Sequence, residues 1–554
     1  MMRKKTKMAW SVALSAAMAA GLLAGCGSNG GTESTSGSTA ASSAKTESSA
    51  SDTTDTSDRP TYKIATVRWT DTWPTDFLKE GVMKEIEDKM NINIDWQVYY
   101  NSDWSEQKSL LLASGDLPDA FLGSICLTQA DMAQNKSAFL DLTDLIEKDM
   151  PNLKAAFEAD PELKAVCTSR DGRIYSLPKK LPLRPKVCGD VMCINQEWLD
   201  NLGLETPKTY KELEEVLVKF ATEDADGDGD PTNEIGITNA AGSGLLSGDL
   251  RHILSPFGTM VSRDGNYMGL NGEGKPVFMP MEENYKEAVK WMRQLWEEGV
   301  VDPEYFTQDG SMQTAKQQAD GGSQVGLIFG WTADAQVGPN VNQFKTLEAV
   351  EGYDGNHYVE AATNYLDISD REFMISKDPD TLLKWADEFY TDLASLQTFY
   401  GSVGSQITDN GDGTYNVDVP SDGSSLDTSA WSNSLRDFGP KYMNEDFYDK
   451  VSLPEDQGDG VKLADDAINE KYVDTEKNCG FPMVQYTDED LSRITAIGTD
   501  IYKYVEAQYA HWVVDGGIDD EWDSYIDQLK AMGIDEFLQI QTDAYNAYKE
   551  NLAK

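Results

Sequence analysis

Between residues 224 and 235 the chain reads Asp224-Ala225-Asp226-Gly227-Asp228-Gly229-Asp230-Pro231-Thr232-Asn233-Glu234-Ile235. Carboxylates at alternate positions, with a glycine to turn the chain, can wrap oxygen donors around a hard cation, as an EF-hand loop does. The fit is incomplete. The twelfth position of such a loop wants a bidentate Glu, and Ile235 stands there with Glu234 one place earlier. No second loop of this kind exists to partner it. The reading is a single structural Ca²⁺ site, built from the side chains of Asp224, Asp226, Asp228 and Glu234 and the carbonyl of Asp230. An acidic surface turn is the alternative. Asn410-Gly411-Asp412-Gly413-Thr414-Tyr415 looks similar but lacks alternating carboxylates. It lies between Ile407 and Tyr415-Asn416-Val417 and reads as a hairpin turn.

Signatures of catalysis are missing. The sequence contains no Gly-x-Ser-x-Gly elbow, no His-Glu-x-x-His and no phosphate loop ending in Gly-Lys-Ser/Thr. With 95 acidic residues, carboxylate pairs suited to glycoside hydrolysis are too numerous to single one out. The expectation is a protein that is not an enzyme. The six cysteines are Cys26, Cys126, Cys167, Cys188, Cys193 and Cys479, and their spacing suits no zinc pattern. Cys188 and Cys193 are near enough in sequence to close a small disulfide loop.

A different chemistry is written at the start of the chain. Arg3, Lys4, Lys5 and Lys7 precede an apolar, Ala-rich run from Met8 to Leu23, followed by small residues and Cys26. That is the layout of a secretory signal peptide, and the run is too short for the roughly 20 residues that span a bilayer. Leu23-Ala24-Gly25-Cys26 resembles the lipobox of bacterial lipoproteins, in which the Cys sulfur carries a diacylglycerol and the chain is cut just before it. Two acyl chains give the double signal that stable anchoring needs. From Gly27 to about Asp58 the residues are small or polar, too poor in apolar surface to fold. Such a tether holds the folded part about 30 Å from the bilayer on average. The formal charge of −48 repels a phosphate backbone and makes nucleic acid a poor partner.

At 554 residues the chain is too long for one ordinary core. Tyr62 to Val67 reads as a first strand, and Phe77, Leu78, Val82, Met83 and Ile86 share one helix face. Ile92, Ile94, Trp96 and Val98 then alternate with polar residues. A helix through Leu110-Leu111-Leu112 stops at Gly115, and Pro118 to Leu122 opens a third strand. This alternation argues for a mainly parallel α/β sheet. Helices follow at Trp198 to Leu202, Tyr210 to Phe220 (capped by Thr209), Tyr285 to Trp296 and Leu382 to Tyr390. From Asp488 onward the chain is mostly helical.

Leu112-Ala113-Ser114-Gly115-Asp116-Leu117-Pro118-Asp119 resembles the Ala-Ser-Gly-Asp-x-Pro-Asp signature of family 1 extracellular solute-binding proteins, the receptors of carbohydrate ABC importers. Leu140-Asp141-Leu142-Thr143, Asp171 to Pro178, Trp198 to Leu204 and Pro207-Lys208-Thr209 fall in that family's order. Its long lipoproteins similar to LplA and its alginate-binding proteins carry a calcium loop where Asp224 stands. Here the loop departs by an apparent extra residue before Glu234, which leaves the roles of Thr232, Asn233 and Glu234 open. The resemblance implies a two-lobed, type II α/β binding-protein fold that closes on a sugar. It implies the following layout: residues 1–25 the signal peptide, 26–59 the tether, 60–190 the first part of lobe 1, and 191–365 lobe 2 with the calcium loop. Residues 366–554 then return to complete both lobes and end in helices.

Sugar rings stack on aromatic faces, and the chain carries 13 Trp and 24 Tyr, most of them needed for core. The candidates for ligand contact lie past strand ends or in loops. Trp69 and Trp73 follow the first strand, where open α/β sheets place ligands. Trp331 follows the apolar run Val325 to Phe329, and Tyr400 and Trp431 are expected in loops. Arg68, Asp71 and Arg184 are candidate partners for hydroxyl or carboxylate groups. The function expected is a lipid-anchored receptor that delivers an oligosaccharide to an ABC permease at the extracytoplasmic membrane face. A receptor for peptides or another non-sugar solute is the alternative, followed by a surface glycoside hydrolase or lyase.

Overall fold

The computed structural model describes residues 58–181, 189–242, 244–361, 368–444 and 446–553. Cys26, the tether as far as residue 57, Arg184 and Cys188 lie outside them, and with Cys188 the question of its pairing to Cys193. Strand β1 (Thr61–Arg68), helix α1 (Gly81–Met90), β2 (Asn93–Tyr100), α2 (Asn101–Ser114) and β3 (Ala120–Leu122) follow one another along the chain. β1 pairs in parallel with β2 on one side and β3 on the other. Each crossover therefore needs a covering helix. α1 stops where Asn91 turns left-handed, and α2 stops at Gly115, also left-handed.

The composition of β1 explains its central place. Tyr62 and Ile64 point into one core, while Ala65 and Val67 point into another on the opposite face. Leu177–Lys180, Ile368–Ile375 and Lys441–Tyr442 complete this six-stranded sheet, and Ile368–Ile375 runs antiparallel to β3. A second sheet of four strands joins Phe344–Thr346, Val191–Asn195, Val325–Gly330 and Ile235–Ile237 in that order. The chain thus leaves the first sheet after Lys180, builds the second from Val191, and returns at Ile368. That gives the two-lobed α/β architecture.

The largest core belongs to the second lobe. It gathers residues from Ile194 to Ala361 together with Cys479 to Tyr545, so the helices Asp488–Val514, Ile518–Met532 and Ile534–Leu552 pack mainly there. A smaller core, from Leu396 to Val451, surrounds the expected hairpin, where Ile407 faces Val417 across the turn. Among the described residues, Cys126, Cys167, Cys193 and Cys479 are buried free thiols. No helix among the described residues is long and apolar enough to cross a membrane.

Candidate functional site

β1 ends at Arg68, and the turn beyond it carries Trp69, Asp71 and Trp73. Trp69 is 46% exposed and its ring lies 5.8 Å from Phe438. Trp73 stacks on Trp431, with centroids 4.9 Å apart and planes 11° from parallel. Phe438 closes the group edge-on to Trp431 at 5.6 Å. Asp71 is exposed in the turn between the two Trp residues. This aromatic cluster sits at the carboxyl end of the central parallel strand, where such sheets bind ligands.

Arg68 plays a different part from a ligand hand. Its side chain is buried, and its guanidinium donates to the carbonyls of Trp431 and Ser434 while lying over the Phe77 and Trp431 rings. Burial pushes it down to about 10. It holds the platform from beneath. Phe438 is fixed in a similar way: Lys441 Nζ donates to its carbonyl at 2.5 Å, and the next amide, Gly439 N, donates to the buried Glu372 carboxylate at 2.8 Å.

Two placements differ from the expectation of loops. Trp431 lies in the helix Leu426–Asn433, whose N-cap Ser425 accepts the Thr428 amide. Tyr400 is the last residue of the helix Asp392–Tyr400, 1% exposed, and its hydroxyl donates to Asp459 at 2.6 Å. Each helix opens on a start pattern, Ser425 ahead of Asp427 and Thr391 ahead of Asp392. Trp331 does follow the strand Val325–Gly330, and Lys462 Nζ lies 4.4 Å above its ring. Lys462 also donates to the carbonyl of Gly189 at 2.6 Å, beside the point where the chain enters the second lobe.

The sequence reading did not single out Phe438, which packs on Trp69 and Trp431, or Lys462, which lies over the Trp331 ring. Neither had a local signal in the sequence, since the contacts with Trp69 and Trp331 join residues far apart along the chain.

Both crossings of the chain meet one buried ion cluster. Glu360 accepts from Arg251 at 2.8 Å, Arg263 at 2.7 Å and the Asp190 amide at 2.9 Å. Asp190 in turn takes Arg263 at 2.8 Å and His252 at 3.0 Å. Burial alone would raise both carboxyls, but His252 and Arg263 around Asp190, and Arg263 and Arg251 around Glu360, hold them below the usual carboxylate range. The two arginines already supply the positive charge that offsets these buried carboxylates.

The acidic loop lies between the helix Tyr210–Thr222 and the strand Ile235–Ile237. Ligand atoms of Asp224, Asp226 and Asp228 all lie within 4.8 Å of one another. Gly227 and Gly229 turn left-handed between them, as the tight winding requires. Glu234 is 8% exposed; one oxygen accepts the Ala225 amide at 2.8 Å, and the other is buried without a partner. Asn233 Oδ1 is likewise buried and unpartnered. Asp230 turns its carboxylate onto Thr232, accepting the hydroxyl at 2.6 Å. Converging carboxylates beside orphaned acceptor oxygens fit a hard cation rather than another acceptor.

A profile of bacterial extracellular solute-binding proteins matches residues 71–377. The chain belongs to that family. It is 31% identical, over 86% of its own length and 89% of the relative's, to the fructooligosaccharide ABC transporter substrate-binding protein FusA of Streptococcus pneumoniae. Its fold superposes on FusA in complex with kestose with a TM-score of 0.74, at 29% identity, covering 89% of this chain and 100% of that one. A FusA variant described as an EF-hand mutant superposes equally well. A human-milk-oligosaccharide (HMO) binding, ABC-transporter-associated protein of Bifidobacterium longum infantis gives 0.77 at 25% identity, covering 89% and 99%. The Bacillus subtilis lipoprotein LipO is 26% identical over 48% of this chain and 49% of its own. This solute-binding protein therefore belongs with extracytoplasmic transport receptors.

Proposed function

We propose that this protein is a receptor that captures an oligosaccharide and delivers it to an ABC importer without chemical turnover. The observation that carries the reading is the Trp69, Trp73, Trp431 and Phe438 cluster at the carboxyl end of β1. Flat aromatic faces beside hydroxyl-bearing and charged groups suit pyranose and furanose rings. FusA, which the chain matches over most of its length, supports a sugar as the ligand. Trp331 under Lys462 supplies a further ring from the second lobe, and lobe closure brings such surfaces onto one ligand. Of the remaining sequence candidates, Asp71 and Tyr400 join this reading as neighbours of the platform, Tyr400 through Asp459; Arg184 stays a candidate.

The acidic loop holds one Ca²⁺ in this reading, with Asp224, Asp226, Asp228 and Glu234 as side-chain donors and Asp230 through its carbonyl. The ion stabilises the second lobe and takes no part in ligand chemistry. Cys26 carries the lipid anchor, and residues 26–59 tether the two lobes to the extracytoplasmic membrane face.

A thermal-shift panel on mature protein, with mono- and oligosaccharides and oligopeptides, tests the assignment, since only bound ligand stabilises. Stabilisation by one or more oligosaccharides is expected. A response to peptides alone refutes it, as does release of shortened sugars from the panel.

A further inference from the structure

The helix Leu426–Asn433 presents Asp427 and Trp431 four residues apart, hence side by side on one face. Trp431 is the inner ring of the aromatic cluster. Asp427 keeps 44% of its side-chain surface in contact with solvent, and one of its oxygens accepts from Arg436 Nη2 at 3.0 Å. Among the described residues, no hydrogen bond engages the other oxygen.

Arg436 cannot turn away from this contact. Its backbone is left-handed at φ 50°, a conformation that costs a residue with a Cβ and persists only where the surroundings impose it. The same Nη2 is shared with both oxygens of Asp459, at 3.1 and 3.0 Å, and Asp459 is itself held by the Tyr400 hydroxyl at 2.6 Å. The guanidinium lies 4.0 Å from the Phe399 ring and 5.2 Å from Tyr400. Nη1 is buried with no acceptor. A guanidinium clamped this firmly fixes the carboxylate it reaches.

The surroundings are acidic. Asp334, Asp437 and Asp459 all add negative potential at Asp427, opposed by Arg436. Burial and these neighbours raise the Asp427 carboxyl, while its side chain keeps solvent access beside the aromatic cluster.

Resting on the sugar-binding reading above, we infer that Asp427 accepts hydrogen bonds from adjacent hydroxyls of a neutral sugar ring bound at the aromatic cluster, that Arg436 is its positioning residue, and that the site rejects uronate sugars. A carboxylate is an acceptor only, and its two oxygens match a pair of neighbouring hydroxyl donors. A sugar carboxylate at the same place would meet like charge from four aspartates with one guanidinium to offset them.

The test is calorimetric titration of wild type and of Asp427→Asn, Asp427→Ala and Arg436→Lys. The probes are 1-kestose, or in its place whichever neutral oligosaccharide of the panel wild type binds most tightly, and trigalacturonate. Wild type is expected to bind the neutral probe and to show no heat with trigalacturonate. Both Asp427 variants should lose about tenfold or more in affinity for the neutral probe, with the melting temperature of the unliganded protein unchanged. Their preference for neutral over acidic sugar should also narrow. Arg436→Lys keeps the charge but loses the planar fork, so it should weaken binding by less than Asp427→Ala does. Unchanged affinity in Asp427→Asn overturns the inference, and so does wild type binding trigalacturonate as tightly as the neutral probe. A wild-type protein that binds no oligosaccharide at all removes the sugar-binding reading itself, a result separable from these.

Discussion

Loading the acidic loop with calcium should raise the unfolding temperature of the second lobe by a calculable amount. In the metal-free loop three carboxylates lie within 4.8 Å of one another, and one oxygen of Glu234 is buried without a donor. A divalent cation offsets both costs in the folded state only. Extracellular calcium modules bind with dissociation constants of about 10⁻⁴ to 10⁻³ M. At about 10 mM free Ca²⁺ the ratio of ligand to dissociation constant is then about 10 to 100, worth about 1.4 to 2.7 kcal/mol of added stability. For a lobe of roughly 150–250 residues each kcal/mol moves the midpoint by about 2–4 °C, giving a rise of about 3–11 °C. Differential scanning calorimetry of EDTA-stripped mature protein, with and without Ca²⁺, measures it directly. Asp226→Ala should abolish the rise, because it removes a donor from the converging trio. An absent rise at 10 mM, or one of equal size in Asp226→Ala, refutes the site and leaves the loop an acidic turn.

Further outcomes follow from the same structure. Glu360→Gln leaves Arg251 and Arg263 short of their shared counter-ion in a buried setting, so urea unfolding should show a loss of about 3–5 kcal/mol. The folded Glu360 carboxyl lies below its unfolded value, so the unfolded chain binds more protons between the two. The stability it contributes is therefore complete above the usual carboxylate range and is lost as pH falls through the lowered folded value. An acid titration of the unfolding free energy should be steeper for wild type than for Glu360→Gln. Trp431→Ala removes the ring stacked on Trp73 and should weaken sugar binding by about 1–2 kcal/mol, roughly 5- to 30-fold, read by titration calorimetry. Cys26→Ser should release the protein into the medium with its ligand affinity unchanged, as membrane fractionation and titration will show.

Much of the fold was legible because its signals are local. The period-two run from Ile92 to Val98, the stop at Gly115 and the cap at Thr209 each act over a few residues, and each element stands where its pattern puts it. Ile368–Ile375 joins the first sheet antiparallel, and the expected mainly parallel order does not extend to the second sheet, where Val191–Asn195 runs antiparallel to both its neighbours. The alternation of strand and helix thus fixes only the parallel pairing of β1 with β2 and β3. Trp69 and Trp73 were legible for the same reason, as the residues next after a central strand. The clamp on the platform was not. Arg68 meets Trp431 and Ser434 across more than 360 positions, and Phe438 reaches Trp69 over a similar span. Nothing in the neighbourhood of either residue reports such contacts. Tyr400 was expected in a loop, whereas it ends a helix and its ring is buried with its hydroxyl on Asp459. Buried ion clusters are hidden similarly, since among so many carboxylates only tertiary structure singles out Asp190 and Glu360.

The interleaved core of the second lobe bears on how the chain is made. Its apolar contacts join residues near Ile194 to residues as late as Tyr545. Synthesis must therefore pass Tyr545 before that lobe can bury its interior. Contacts of such sequence separation form slowly, because the intervening loop must close before they contribute. Until then the apolar faces of the second lobe lack their late partners. Deleting the last helix should then leave a product that never compacts its second lobe, rather than a shorter version of the same receptor.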